Sequence, residues 1–198
     1  MISNVCKIEN GVKDLAAILE ESEKVAVYNK LDDKKAGQLR LLCEEIDGML
    51  PNIIDDFKGD FWIEFEDGVC KIKAVVTFEE FTVSKKKELI SVATNKKNAA
   101  AKGLFGKIRS AIENVCLDKD LSKAYNIASL YNYANGCSAG VDYHYLWTLD
   151  DYKKTIKKDG SPEEWDELEK SIIASLADNV IVGVKGLNAT IEVIKNFK

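Results

Sequence analysis

The stretch GQLRLLCEEIDGMLPNII, from Gly37 to Ile54, decides the fold of this chain. Its apolar residues recur three or four positions apart, which places them on one face of an α-helix. These residues are Leu39, Leu42, Cys43, Ile46, Met49, Leu50 and Ile53. The pattern predicts one amphipathic helix that ends around Pro51, because proline is tolerated only near a helix terminus. The rest of the chain is expected to supply a sheet and further helices that cover the apolar face.

Two hairpins are predicted from short runs of alternating residues. Phe61–Phe65 and Val69–Phe78 alternate and flank Asp67-Gly68, which is a strong turn signal. Val180–Val184 and Ala189–Ile194 form the second hairpin near the end of the chain. Both hairpins are expected to lie in one sheet, with the Gly37–Ile54 helix packed on it.

The remaining predicted elements are mostly helices. Helices are predicted at 12–28, 85–93, 104–115, 121–133, 149–158 and 162–178, and a short strand at 3–8. The aromatic segment 142–149 receives no assignment. The fold class is therefore predicted as α+β: a single domain, 1–198, built as a two-layer sandwich. Its mostly antiparallel sheet of four or five strands carries helices on one face.

Composition limits the class of function. The chain has 198 residues, 46% of them apolar, and a net charge of −5. This charge argues against nucleic acid, whose binders neutralise phosphates with clustered Lys and Arg. The sequence shows no signal peptide and no run of about 20 apolar residues that would span a membrane. The five cysteines are widely spaced and lack a C-x-x-C pair, which favours a reducing cytoplasm over a zinc site or disulfide framework.

Glu44 and Glu45 are the residues of the amphipathic helix that most strongly suggest a chemical function. A carboxylate that projects from a helix into a pocket can activate a water or hold a metal through one. The simpler interpretation is a solvated face on which Arg40 pairs with Glu44 one turn away. The periodicity of the apolar residues favours a solvated face around Glu44. Leu41 lies on the same side, however, and an apolar residue there favours a face that is partly covered.

A second candidate site lies in the sequence AKGLFGK. Gly103 and Gly106 stand at the start of a predicted helix, and Lys102 and Lys107 flank them. Free amides at a helix start, together with lysines, can bind a phosphate or another anion. The sequence is not a P-loop, because Ile108 replaces the Ser or Thr that holds magnesium. Close packing of the helix start is an equally good explanation of the two glycines.

Histidine chemistry is restricted by the presence of a single histidine, His144. A single histidine cannot form a multi-histidine metal site, and His144 is the one candidate for a catalytic histidine. Asp142 and His144 are expected at the surface, and the aromatic residues around Trp147 are expected in the core.

The order of these parts resembles the ATP-binding domain shared by gyrase, Hsp90, histidine kinases and MutL, especially its small anti-sigma-factor-like versions. The resemblance rests on a strand, a long helix, a helix with LRLLCEEI, a hairpin, a helix beginning with KGLFGKI and a closing hairpin. It covers about 2–112 and 180–197. It implies that about 118–160 is a helical insertion specific to a narrower bacterial family.

In that superfamily, one helix carries a Glu that acts on the attacking water, followed four residues later by an Asn that holds magnesium. Glu44 matches the first position, but Gly48 stands where the Asn belongs. Aligning on Glu45 instead places Met49 there. The sequence GLFG echoes the glycine-rich motif, whereas no Asp-x-Gly-x-Gly adenine motif follows the first hairpin.

The resemblance implies an ATP-binding-like regulatory protein that acts through a protein partner, with degenerate or weak nucleotide binding. ATP and magnesium are the implied cofactors. The candidate nucleotide- or phosphate-binding residues are Glu44, Glu45, Lys102, Gly103, Gly106 and Lys107. Two alternatives stay open: an active kinase or ATPase with unusual magnesium ligation, and a ligand-free structural or interaction domain.

Overall fold

The structure, a computed structural model, describes residues 1–10, 15–54, 56–78, 103–117, 145–185 and 187–198. The strands in this part of the chain are β1 (Cys6–Glu9), β2 (Phe57–Glu66), β3 (Val69–Phe78), β4 (Tyr145–Thr148), β5 (Asn179–Lys185) and β6 (Asn188–Asn196). The helices are α1 (Leu15–Tyr28), α2 (Asp33–Ile53), α3 (Gly103–Leu117), α4 (Leu149–Asp159), α5 (Pro162–Glu169) and α6 (Ile172–Leu176). No helix among the described residues is long and apolar enough to cross a membrane.

The strands form one antiparallel sheet in the order β1-β2-β3-β6-β5-β4. Both predicted hairpins lie in this sheet, joined by the pairing of β3 with β6, which confirms the α+β class and the placement of the hairpins. The expected four or five strands are too few, since the described sheet has six. The additional edge strand β4 comes from the aromatic segment that received no assignment.

The sheet has one buried face, called here the inner face, and one partly exposed face, called the outer face. The inner face carries Phe57, Phe61, Ile63, Phe65, Cys70, Ile72, Ala74, Val76, Phe78, Val180, Val182, Val184, Ala189, Ile191 and Val193. Buried side chains from the six helices join these residues in one cluster. The helices therefore cover the inner face, and the predicted two layers are confirmed.

The β2–β3 turn sets which residues face each other in the first hairpin. Asp67 and Gly68 have positive φ angles of 49° and 80°. Two such residues form the tight turn whose twist matches that of the flanking strands. The turn places Glu66 opposite Val69, so the alternation of buried and exposed residues in both strands follows from it.

Helix α2 buries its predicted apolar stripe completely. Its N-cap is Asp32, whose carboxylate accepts a hydrogen bond from the Lys35 amide at 2.9 Å. The helix continues two residues beyond Pro51 and ends at Ile53, within the predicted stretch Gly37–Ile54. The Ile54 amide donates to the Leu50 carbonyl at 2.9 Å and closes the last turn around the proline.

The predicted helix 162–178 is in fact two helices. Ser161 caps α5 in a capping box with Glu164, as its sequence indicates. The first helix ends at Glu169 with Lys170 as its C-cap. Ser171 caps the second helix, because its hydroxyl accepts a hydrogen bond from the Ala174 amide. The predicted helices 85–93 and 121–133 lie outside the described residues.

Candidate functional site

Glu44 lies on the open side of α2, in an ion pair with Arg40. The Arg40 Nε donates to a Glu44 carboxylate oxygen at 3.1 Å, and the Arg40 Nη1 donates to Glu23 of α1 at 2.7 Å. The Glu44 side chain is 36% exposed, and the neighbouring Leu41 is 42% exposed. The pairing that the spacing suggested is therefore present, and the arginine ties two helices together through carboxylates.

Gly48 and Met49, the positions four residues after Glu44 and Glu45, carry no side-chain oxygen that could hold magnesium. Gly48 is exposed, and a Cβ there would have no neighbouring atom within 4 Å. Met49 is 1% exposed and lies in the core. The Asn52 side-chain amide donates to the Gly48 carbonyl at 2.9 Å. Among the described residues, no group of three or more His, Cys, Asp or Glu side chains is placed to hold a metal ion.

The glycine-containing start of α3 is tied to α5. Helix α3 begins at Gly103, and Gly106 is buried in its first turns. The Lys107 ammonium donates to the Glu164 carboxylate at 2.8 Å and lies 5.9 Å from the centre of the Tyr152 ring. Glu164 raises the pKa of Lys107, and Lys107 lowers the pKa of Glu164. Lys107 therefore already has an anionic partner within the chain.

The two candidate sites come from helices that contact each other. The Arg109 guanidinium of α3 donates to the Asn52 carbonyl of α2 at 3.3 Å. Asn52 lies eight residues after Glu44, which is about 12 Å along a helix. The observed contact thus joins α3 to the C-terminal end of α2, away from Glu44. Lys102 lies outside the described residues, and Glu45 is half-buried on α2.

Within the aromatic segment, Trp147 packs as expected for a core residue. Trp147 of β4 packs against the core cluster, and its ring lies 5.8 Å from that of Tyr152. Burial raises the pKa of the Tyr152 hydroxyl. Asp142 and His144 lie outside the described residues.

The outer face of the sheet holds a charged network that the sequence analysis missed. The Trp62 indole N–H donates to Glu64 at 2.8 Å, and the Lys73 ammonium donates to Glu64 at 2.9 Å. Lys73 also lies 3.5 Å from a carboxylate oxygen of Glu192 and 6.0 Å from the centre of the Trp62 ring. The network therefore spans β2, β3 and β6.

Burial and the neighbouring charges shift the pKa values of residues in this network in opposite directions. Burial alone would lower the pKa of Lys73, but Glu64 and Glu192 outweigh it and raise the pKa. Burial would likewise raise the pKa of Glu64, but hydrogen bonds from Trp62 and Lys73 lower it. Both shifts favour the charged forms of Lys73 and Glu64. The turn at Asp67-Gly68 could have indicated the contact of Trp62 with Lys73, because it places these two residues opposite each other.

A groove of about 410 Å³ lies along β1 and β2 near the edge of the sheet. It is lined by Lys7, Ile8, Glu9, Lys58, Gly59, Asp60 and Thr77. Lys7 pairs with Asp60 at 2.6 Å, and Lys58 pairs with Glu9 at 2.9 Å. Gly59 permits close strand contact, since a Cβ there would lie 2.2 Å from the Val75 carbonyl oxygen. The charges of the groove thus neutralise each other across the two strands.

Comparison with known proteins adds no relative to this description. Neither the protein-family models nor the curated proteins nor the solved structures gave a significant match to this chain.

Proposed function

We propose that this chain is a regulatory protein that acts through contact with a protein partner and binds nucleotide only weakly. One observation carries the proposal: two of the candidate charged residues, Glu44 and Lys107, are held by side chains of the same protein. Glu44 pairs with Arg40 at 3.1 Å, and Lys107 pairs with Glu164 at 2.8 Å. The resemblance to the ATP-binding superfamily stays a hypothesis about ancestry and layout, and the cytoplasm stays the expected compartment.

Hydrolysis of ATP needs a carboxylate near the attacking water and a magnesium ion that bridges the phosphates. One carboxylate oxygen of Glu44 is already bonded to Arg40, which favours a structural role for this side chain. Magnesium requires hard oxygen ligands in near-octahedral geometry. Gly48 has no side chain, and the sulfur of Met49 is both soft and buried. These features favour a non-catalytic role over the kinase or ATPase alternative.

Contact with a protein is supported by the outer face of the sheet. Trp62 is half-buried there and is held in place by Glu64 and Lys73. Tryptophan is among the residues most enriched where protein interfaces gain their binding energy. A pre-oriented tryptophan with charged neighbours is therefore suited to recognition, which favours an interaction role over a purely structural one.

Thermal unfolding with ATP or ADP, with and without magnesium, tests the nucleotide part of the proposal. A ligand present at its own Kd adds about 0.4 kcal/mol of stability. For a chain of this size, that amounts to a rise in Tm of about 1–2 °C. We expect millimolar nucleotide to produce at most such a rise, independent of magnesium. A magnesium-dependent rise of more than about 5 °C would instead mean a Kd roughly tenfold or more below the nucleotide concentration and would favour the enzyme alternative.

Two variants make this test sharper. Gly48→Asn restores the amide that the superfamily places four residues after its Glu, into space that is open in this structure. Glu164→Gln releases Lys107 from its partner. We expect Glu164→Gln to strengthen binding of phosphate or ADP if the start of α3 is an anion site, and Lys107→Met in the same background to abolish the gain.

A further inference from the structure

Strand β1 is an edge of the described sheet, and the direction of its free main-chain groups can be worked out. The Asn10 amide donates to the Phe57 carbonyl at 3.1 Å, in the register that pairs Ile8 with Gly59. In an antiparallel ladder, alternate residues direct both main-chain groups to the same neighbour. Ile8 and Asn10 therefore face β2, and the N–H and C=O groups of Lys7 and Glu9 face away from the sheet.

The side chains at this edge are open as well. The Lys7 side chain is 81% exposed and that of Glu9 is 46% exposed. The apolar exposure of the described residues also concentrates here. Of eight exposed large apolar residues, five lie in the first five positions or at the end of α1: Met1, Ile2, Val5, Val27 and Tyr28.

These two segments are physically joined. Asn4 donates its backbone and side-chain N–H groups to Glu21 of α1, at 2.9 and 3.0 Å. The Asn29 amide, just after α1, approaches the Met1 sulfur at 3.7 Å. The first residues thus run along the C-terminal half of α1, and strand and helix form one continuous side of the molecule.

We propose that a second copy of this chain pairs antiparallel with β1, with Ile8 opposite Ile8 across a two-fold axis. This register pairs the outward main-chain groups of Lys7 with those of Glu9 in the other copy, and the reverse. It therefore satisfies the free groups of both residues in both copies. Two six-stranded sheets become one continuous sheet, and no new strand has to form.

Charge selects this register over its neighbours. On the outer face, this register produces a continuous row of side chains whose charges alternate in sign. The row consists of Asp60 and Lys7 of one copy, then Glu9 and Lys58 of the second copy. A pairing centred on Lys7 would place two lysines opposite each other, and like charges directly opposite are destabilising. Charged residues on an edge usually prevent pairing with other strands. The sequence Lys-x-Glu prevents pairing with most strands. It is complementary to an antiparallel copy of itself, because each lysine then lies opposite a glutamate. This assembly does not depend on whether the protein binds nucleotide.

Charge reversal with mixing tests the proposal on the full-length chain. Sedimentation velocity over a concentration series should show wild-type dimer that increases with concentration. Lys7→Glu and Glu9→Lys each place like charges opposite each other, and each should weaken the dimer at least about tenfold. An equimolar mixture of the two variants pairs every glutamate with a lysine, so it should regain wild-type dimerisation. Each single variant disturbs one exposed ion pair within the chain, and mixing does not change that disturbance.

Two further variants separate the edge from general effects of charge. Lys170→Glu reverses a charge in the exposed Lys170–Asp166 pair of α5 and should leave dimerisation unchanged. Lys7→Pro removes the outward N–H of residue 7 but no main-chain hydrogen bond between β1 and β2. This variant should therefore fold and stay monomeric. A wild-type chain that is monomeric throughout would overturn the proposal. A dimer that survives both reversals, or a mixture that stays monomeric, would overturn it as well.

Discussion

The cost of truncating Ile46, compared with that of truncating Glu44, measures how α2 is oriented on the sheet. Ile46 is completely buried at the centre of the apolar stripe. Ile46→Ala removes three carbons, worth about 2.4 kcal/mol by transfer, and leaves a cavity that brings the total to about 3–4 kcal/mol. Glu44→Ala removes only one partly exposed ion pair, which typically contributes 0–1 kcal/mol. We therefore expect the first variant to lose at least about three times as much stability.

Urea denaturation followed by circular dichroism provides the comparison. With a slope of about 2–3 kcal/mol per molar urea, Ile46→Ala should lower the midpoint by about 1–2 M and Glu44→Ala by at most about 0.5 M. The slopes should agree with wild type, so that the midpoints compare stability alone. Equal or reversed shifts would mean that α2 is rotated relative to this description, with Glu44 facing the core or a closed cleft.

Three further predictions concern single side chains. Gly48→Ala should raise stability by about 0.5–1 kcal/mol in thermal unfolding, because the position is helical with open space around the added methyl. Ser3→Ala should cost about 1–3 kcal/mol, since the Ser3 hydroxyl accepts the buried Ile63 N–H at 2.9 Å; Ser3→Thr, which keeps the hydroxyl, is the control. Hydrogen bonds from Lys24 and Asn4 lower the pKa of Glu21, so its stabilising effect is present above its ordinary pKa of 4.5 and is lost as pH falls through the lowered value. The stability difference between wild type and Glu21→Gln should therefore shrink in acid, and a difference that grows there would contradict this assignment.

Local patterns in the sequence were sufficient for the main helix and both hairpins. The period of the apolar residues gave the buried stripe of α2, because that period alone decides which side of a helix meets the core. The Asp67-Gly68 turn predicted the first hairpin. It therefore also predicted which residues of β2 and β3 share a face of the sheet. Capping residues likewise gave the start of α5 at Ser161.

Contacts between distant parts of the chain could not be predicted in the same way. Lys107 and Glu164 are 57 positions apart, and their pairing depends on how α3 and α5 pack. The contact of Lys73 with Glu192 depends on the pairing of β3 with β6, which no turn specifies. The edge position of β1 likewise follows from the order of the strands. The spacing within α2 was therefore enough to predict that Arg40 pairs with Glu44, but not that Glu164 pairs with Lys107.

The most direct test of the central claim is a phosphate-release assay with ATP and magnesium on wild type beside Glu44→Ala and Gly48→Asn. The claim is that Glu44 is paired with Arg40, that no oxygen ligand follows it at Gly48 or Met49, and that ATP is therefore not turned over. We predict no release above background for wild type and no difference between wild type and Glu44→Ala. Clear magnesium-dependent release by wild type that is lost in Glu44→Ala would contradict the claim and establish the chain as an ATPase.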